Sequence, residues 1–178
     1  MLADDPVLVD ACTLINLHAT GEPTLLLQGL SPSCMVCDVV SRETIFLRAE
    51  QPDLTPQRID LGPLFEQRSL HACHAETPEE EALYVSLAAE LDDGEALSLA
   101  ISAVRGYGLA TDDRKARRLA MEIGSVQLFS TAEILHAIDS FNEATIREMI
   151  RRIEFRARFT PNGNMPLNEW WENIARKK

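Results

Sequence analysis

Short apolar runs alternate with stretches of helical spacing along this chain. Val7-Leu8-Val9 is compact and β-branched, is bounded by Pro6 and ends in Asp10, as a buried parallel strand does. Thr13-Leu14-Ile15-Asn16-Leu17 has helical spacing and stops at Gly21-Glu22-Pro23, and a second short helix is expected from Glu22 to Leu30. Ser33–Cys37 is the next strand candidate, and Asp38 or Ser41 can cap a helix from about Val39 to Ala49. Pro52, Pro56, Gly62 and Pro63 break up residues 51–75, where the patches Ile59–Leu64 and Ser69–Cys73 read as strand or loop.

From Thr77 the helical signal is clear. Thr77-Pro78-Glu79-Glu80 combines a cap, a first-turn proline and a capping-box acid. Leu83, Leu87, Ala88 and Leu91 form that helix's stripe; Asp92-Asp93-Gly94 interrupts, and a new helix begins near Glu95 with Ala96, Leu99, Ala100 and Ala103 inward. Residues 106–111 turn into a short strand, Asp112-Asp113 opens a helix, and residues 124–129 repeat the pattern before a cap at Ser130 or Thr131. Helices at about Glu143–Ala157 and from about Pro166 close the chain. Strands separated by helices imply a three-layer α/β/α sandwich with a mostly parallel central sheet, plus C-terminal helices. The expected division is a domain over 1–138, with an irregular insertion at 51–76, and a helical extension over 139–178.

Composition adds constraints. The 178 residues are 46% hydrophobic, enough for an ordinary core, and no apolar run reaches the roughly 18–20 residues of a membrane span. The acidic N-terminus does not read as a signal peptide, so a cytoplasmic location away from membranes is expected. Net charge is -11, unevenly placed: residues 1–104 carry 4 Lys/Arg against 18 Asp/Glu (-14), and residues 105–178 carry 13 against 10 (+3). So acidic a chain repels phosphate backbones at long range, which argues against a plain nucleic-acid-binding module. It is compatible with carboxylates gathered to hold divalent cations. The four cysteines read as free, mostly buried thiols.

Ligand crevices in such sheets lie at the carboxyl ends of the strands. Asp10 ends the first strand, Asp112-Asp113 ends the strand after Gly108, Glu95 starts the helix leading into that strand, and Glu43 sits in the helix after the second strand. Singly, each has a bland reading as a cap or an exposed helix acid. Together they would repel one another unless Mg²⁺ or Mn²⁺ offset the cost, and such ions hydrolyse phosphodiesters.

The order of these blocks resembles the PIN-domain family. Val7-Leu8-Val9-Asp10-Ala11-Cys12-Thr13 is similar to its opening strand and first acid, and Val36-Cys37-Asp38-Val39-Val40-Ser41-Arg42-Glu43 to its second block. Gly94-Glu95-Ala96-Leu97-Ser98 resembles the third block, with Glu95 where many members have Asp, and Thr111-Asp112-Asp113-Arg114-Lys115-Ala116-Arg117 the fourth. The resemblance covers about residues 6–138; Cys12 departs from it where Ser or Thr is commoner.

It implies an Mg²⁺- or Mn²⁺-dependent endoribonuclease, often the toxin of a toxin–antitoxin pair. Asp10, Glu43, Glu95, Asp112 and Asp113 would be the catalytic and metal-binding acids, with Arg114, Arg117 and Arg118 on the RNA backbone. The expected partners are an RNA substrate, an antitoxin protein and a second copy of the chain in a homodimer. Ile146, Met149, Ile150, Ile153 and Phe155 form an apolar stripe, and Trp170-Trp171 follows; these side chains either pack on the domain or dock a partner. Two alternatives compete: a PIN-like protein that binds RNA or protein without cutting, and a zinc site built from Cys34, Cys37, His71, Cys73 and His74.

Overall fold

The computed structural model describes residues 1–42, 46–49 and 55–176. β1 (Val7–Val9) leads into α1 (Ala11–Thr20), α2 (Pro23–Leu30), β2 (Cys34–Cys37) and α3 (Asp38–Arg42). β3 (Phe46–Leu47) and β4 (Gln57–Arg58) form a small antiparallel ribbon, followed by α4 (Gly62–Glu66) and β5 (His71–Cys73). Then come α5 (Pro78–Leu87), α6 (Asp93–Arg105), β6 (Gly108–Ala110), α7 (Arg114–Ile123), β7 (Leu128–Phe129) and α8 (Thr131–His136). The last elements are α9 (Glu143–Arg152), a π-helical turn (Ile153–Ala157) and α10 (Asn168–Arg176).

The central sheet has the order β5-β2-β1-β6-β7, and every pairing in it is parallel. With helices packed on its faces, it is the α/β/α sandwich that the alternation of elements implies. β1 lies in the middle, and Val7, Leu8 and Val9 are fully buried, which is why the run shows no polar alternation. From β1 the chain moves to β2 on one side, while β6 docks on the other. That change of direction opens a crevice at the carboxyl ends of β1 and β6. Gly108 lets β6 sit close to its neighbours: a Cβ there would stand 2.8 Å from the Phe129 ring and 3.1 Å from Val7.

One stretch differs from the sequence expectation, and one left open between strand and loop is strand. The helix expected to reach Ala49 has α3 ending at Arg42 in the described residues, and Phe46 and Leu47 are strand, paired with Arg58 and Gln57. An aromatic–aliphatic pair suits a ladder when a partner strand is at hand, and the partner lies beyond a proline-rich stretch that hides it from local reading. Within the stretch read as irregular, His71–Cys73 pairs with β2 in register and forms the edge of the main sheet.

α5 opens with the capping box seen in the sequence: Thr77 accepts the Glu80 N–H, and Glu80 returns a carboxylate to the Thr77 N–H. Glu80 is fully buried and takes Arg105 Nε on Oε1 at 2.6 Å and Nη2 on Oε2 at 3.0 Å. The Arg105 guanidinium holds this carboxyl down to about 2.

Most of the C-terminal stripe packs inside the chain, while Phe155 stays exposed. α9 and the π-helical turn pack on α1, with Ile150 and Ile153 fully buried. Trp171 is also fully buried; its indole N–H donates to Glu154 Oε1 at 3.0 Å, and Phe159 meets it edge-on at 5.9 Å. Trp170 is half-buried and edge-on to His136. Among the described residues, no helix is long and apolar enough to cross a membrane.

Candidate metal centre

Asp10 leaves β1 at its carboxyl end and caps α1. Its backbone is extended, and Oδ1 accepts the Thr13 N–H at 2.8 Å. Its own N–H donates to Ala110 O at 3.1 Å, which ties the cap to β6. The Cys12 thiol donates to both carboxylate oxygens at 3.1 Å, and Thr111 adds a side-chain hydrogen bond. Burial still wins over these donors: Asp10 is 2% exposed, and its pKa is raised. Burial, then the charges of Asp10 and Asp112, push the Cys12 thiol up, so it is a neutral donor here. The thiol thus does what a hydroxyl at that position would do.

Glu95 lies in the first turn of α6, where Asp92 Oδ1 accepts its N–H at 2.8 Å. Burial, then the negative charges of Asp113, Asp92 and Asp10, push its carboxyl up to about 7. Asp10 and Glu95 line one cavity of about 180 Å³, together with Cys12, Ile15, Val40 and Asp92.

Asp112 and Asp113 part company at the end of β6. Asp112 is buried: Oδ1 accepts the Thr131 N–H at 3.0 Å, and Oδ2 takes Asn16 Nδ2 at 2.9 Å and the Thr131 hydroxyl. Burial raises it to about 6, and Asp10 adds to the rise. Asp113 caps α7, with Oδ1 accepting Lys115 N–H at 2.7 Å and Ala116 N–H at 2.9 Å. Asp112 therefore feels the charge of Asp10, and Glu95 that of Asp113. Glu43, the remaining acid of the sequence set, lies outside the described residues.

Among the described residues, no three His, Cys, Asp or Glu side chains converge closely enough to hold a metal ion. The donors nonetheless fit a divalent cation in kind. They are carboxylate oxygens facing one cavity, and burial together with the charges of Asp113, Asp92 and Asp10 raises the proton affinity of Glu95, so positive charge is what the site lacks. The thiols go elsewhere: Cys34 donates to Leu27 O at 3.3 Å and Cys37 to Gly94 O at 3.7 Å, on opposite faces of β2.

The three arginines after the fourth block divide. Arg117 Nη1 donates to Thr111 O at 2.9 Å and Phe129 O at 3.2 Å, clamping the ends of β6 and β7. Arg118 pairs with Glu90 at 2.8 Å and Glu122 at 2.7 Å. Arg114 is exposed on the outer face of α7. Sequence reading passed over Asn16, Thr111 and Thr131, which brace the acids. The one available signal was Asn16, an amide inside the apolar run Leu14–Leu17 and one turn after Cys12.

A PIN-domain family model matches residues 6–160, from just before β1 to just past the π-helical turn. The chain belongs to the PIN-domain family. No curated protein and no solved structure matches it. PIN domains are generally nucleases and generally use divalent metals. In this PIN domain the acid-lined crevice stands at the β1/β6 switch, where an open parallel sheet presents ligands.

Proposed function

We propose that this PIN domain is a divalent-metal-dependent endoribonuclease in which Asp10, Glu95 and Asp113 hold Mg²⁺ or Mn²⁺. The observation that carries this reading is the cavity shared by Asp10 and Glu95, where burial raises both carboxyls and neighbouring acids raise Glu95 further, so a cation would be favoured there. A metal bound there polarises a phosphoryl oxygen and lowers the pKa of water. The chain's own residues do the rest. Cys12, Thr13 and Thr111 fix the Asp10 carboxylate, and Asn16 and Thr131 brace Asp112. Glu95, pushed up to about 7 in the metal-free chain, gives up its proton as it takes a cation, which makes binding pH-dependent near neutrality. Ile15 and Val40 supply the apolar side of the cavity. Glu43 joins the set by family resemblance.

The test is cleavage of a single-stranded RNA in Mg²⁺ or Mn²⁺ by the protein and by Asp10→Asn. Activity in the first and loss of at least about a hundredfold in the second is expected, since even groups that only support a ligand are worth 10–100-fold. Equal activity in both sinks the assignment. The Gly94-Glu95-Ala96 and Asp112-Asp113-Arg114 blocks support the further reading of a toxin in a toxin–antitoxin pair. Its check is whether a co-expressed small helix-turn-helix protein from the adjoining reading frame abolishes the cleavage. A second reading, a PIN domain that binds RNA or protein without cutting, draws on the separation of the carboxylates among the described residues. It predicts no turnover with either metal.

A further inference from the structure

Val40 and Ser41 are consecutive on α3, yet they line different hollows. Val40 belongs to the acid cavity with Asp10 and Glu95. Ser41 lines a second cavity of about 580 Å³ with Arg58 of β4 and Ile59, Asp60, Leu61 and Phe65 beyond it. The two hollows are therefore neighbours across α3. The second falls within the roughly 300–1,000 Å³ range of small-molecule sites, and it joins apolar and aromatic carbon to a cation and a hydroxyl, as such sites do. Asp60 is the acid among these residues, and its Oδ1 accepts the Gly62 N–H at 2.9 Å.

The ribbon beside it carries the same chemistry outward. Phe46 is the cross-strand partner of Arg58, so both side chains leave the same face of the ribbon, and Phe46 is 51% exposed. Further along, the Arg48 N–H donates to Arg156 O at 3.0 Å, and the Arg48 guanidinium lies 5.1 Å from the centroid of the Phe155 ring, itself 42% exposed. A lone exposed phenylalanine or arginine means little. Here a ring and a guanidinium are cross-strand neighbours on the ribbon and stacked again on the turn it is bonded to, next to the cavity that Arg58 lines, in a chain of net charge -11.

We infer that this cavity and the β3–β4 ribbon hold the single-stranded RNA flanking the bond presented to the acid cavity, with Arg58 on a phosphate and Phe65 and Phe46 against bases. The inference rests on the ribonuclease reading of that cavity. So acidic a chain needs a local cation wherever a phosphate backbone crosses it. Flat rings serve bases, and bases are open to stacking only where a strand is unpaired. An acidic polypeptide would use the arginines but has no need of the rings.

Fluorescence anisotropy with a labelled single-stranded RNA in EDTA separates binding from cleavage. Phe46→Ala should weaken binding about five- to tenfold, the loss of one stacked base. Arg58→Ala should weaken it and flatten the salt dependence by about 0.7 in log–log slope, and Arg58→Lys should restore the slope. Both side chains are exposed, so neither change removes core packing. A duplex of equal length should bind more weakly. Unchanged affinity in both alanine variants, equal binding of duplex, displacement of the RNA by polyglutamate with Phe46→Ala silent, or no binding at all overturns the inference. Variant-sensitive binding by a protein that cleaves with neither metal leaves this inference standing and removes the nuclease reading instead.

Discussion

Glu80 and Glu95 are both helix-start glutamates withdrawn from solvent, on the adjacent helices α5 and α6, and they behave in opposite ways. Glu80 is fully buried with a guanidinium on both oxygens and two backbone N–H groups beside it, and its pKa falls to about 2. Glu95 is only half-buried, yet faces Asp113, Asp92 and Asp10 and rises to about 7. Burial pushes both carboxyls up; Arg105 overrides it at Glu80, whereas the acids around Glu95 add to it, so the sign of the neighbouring charge decides the outcome. Glu80 is a finished structural pair. Glu95 and Asp10 form an unfinished one, and on the present account a cation completes it.

The comparison can be broken at four points. The largest effect should come from Glu95→Gln: cleavage falls at least about a hundredfold, while thermal stability holds or rises because a like-charge contact is gone. Loss of both fold and activity would move Glu95 to the structural side. Next, Glu80→Gln should cost about 3 kcal/mol in urea unfolding, because it strands the Arg105 guanidinium, and should leave kcat of the folded protein unchanged. If kcat drops instead, the two glutamates do not divide as argued. Asn16→Ala comes third. It removes one of the two donors on Asp112 Oδ2, leaving the Thr131 hydroxyl, and metal affinity should weaken about tenfold with little change in stability at saturating metal.

The smallest effect concerns pH. Glu95 titrates at about 7 and Asp112 at about 6, above their ordinary 4.5 and 3.8, so the folded state holds these protons more tightly than the unfolded chain. Their stabilising contribution is complete below the unfolded values and is lost as pH rises through 6 to 7. The metal-free protein should therefore melt a few degrees lower at pH 8 than at pH 5.5, with Mn²⁺ closing the gap. Glu80 acts the other way: its contribution is present above its unfolded value and is lost only as pH falls toward 2.

Much of this was legible in the sequence where a single local pattern decides the outcome. Val7-Leu8-Val9 is buried on both faces and reads so; Thr77 and Glu80 announce their capping box, and Asp10 stands at a strand end. What escaped depends on partners distant in the chain. Nothing near Phe46 shows that Arg58 will pair with it, so a helix was extended through a strand. Asn16 and Thr131 come together only because the middle of α1 and the start of α8 converge on Asp112. Arg117 is expected near a phosphate, and the fold adds a role local reading does not show: a side chain in the first turn of a helix after a strand can reach back to the strand-end carbonyls, and its Nη1 does. The division between Asp112 and Asp113 likewise needed the neighbouring elements in place.

The most direct measurement is a calorimetric titration of Mn²⁺ into the protein at pH 8, run beside Glu95→Gln, Asp10→Asn and Glu80→Gln. The account predicts binding by the protein and by Glu80→Gln, with proton release that grows as the pH is lowered toward 7, and loss of binding in the other two. Equal binding in all four, or none in the unaltered protein, would contradict it.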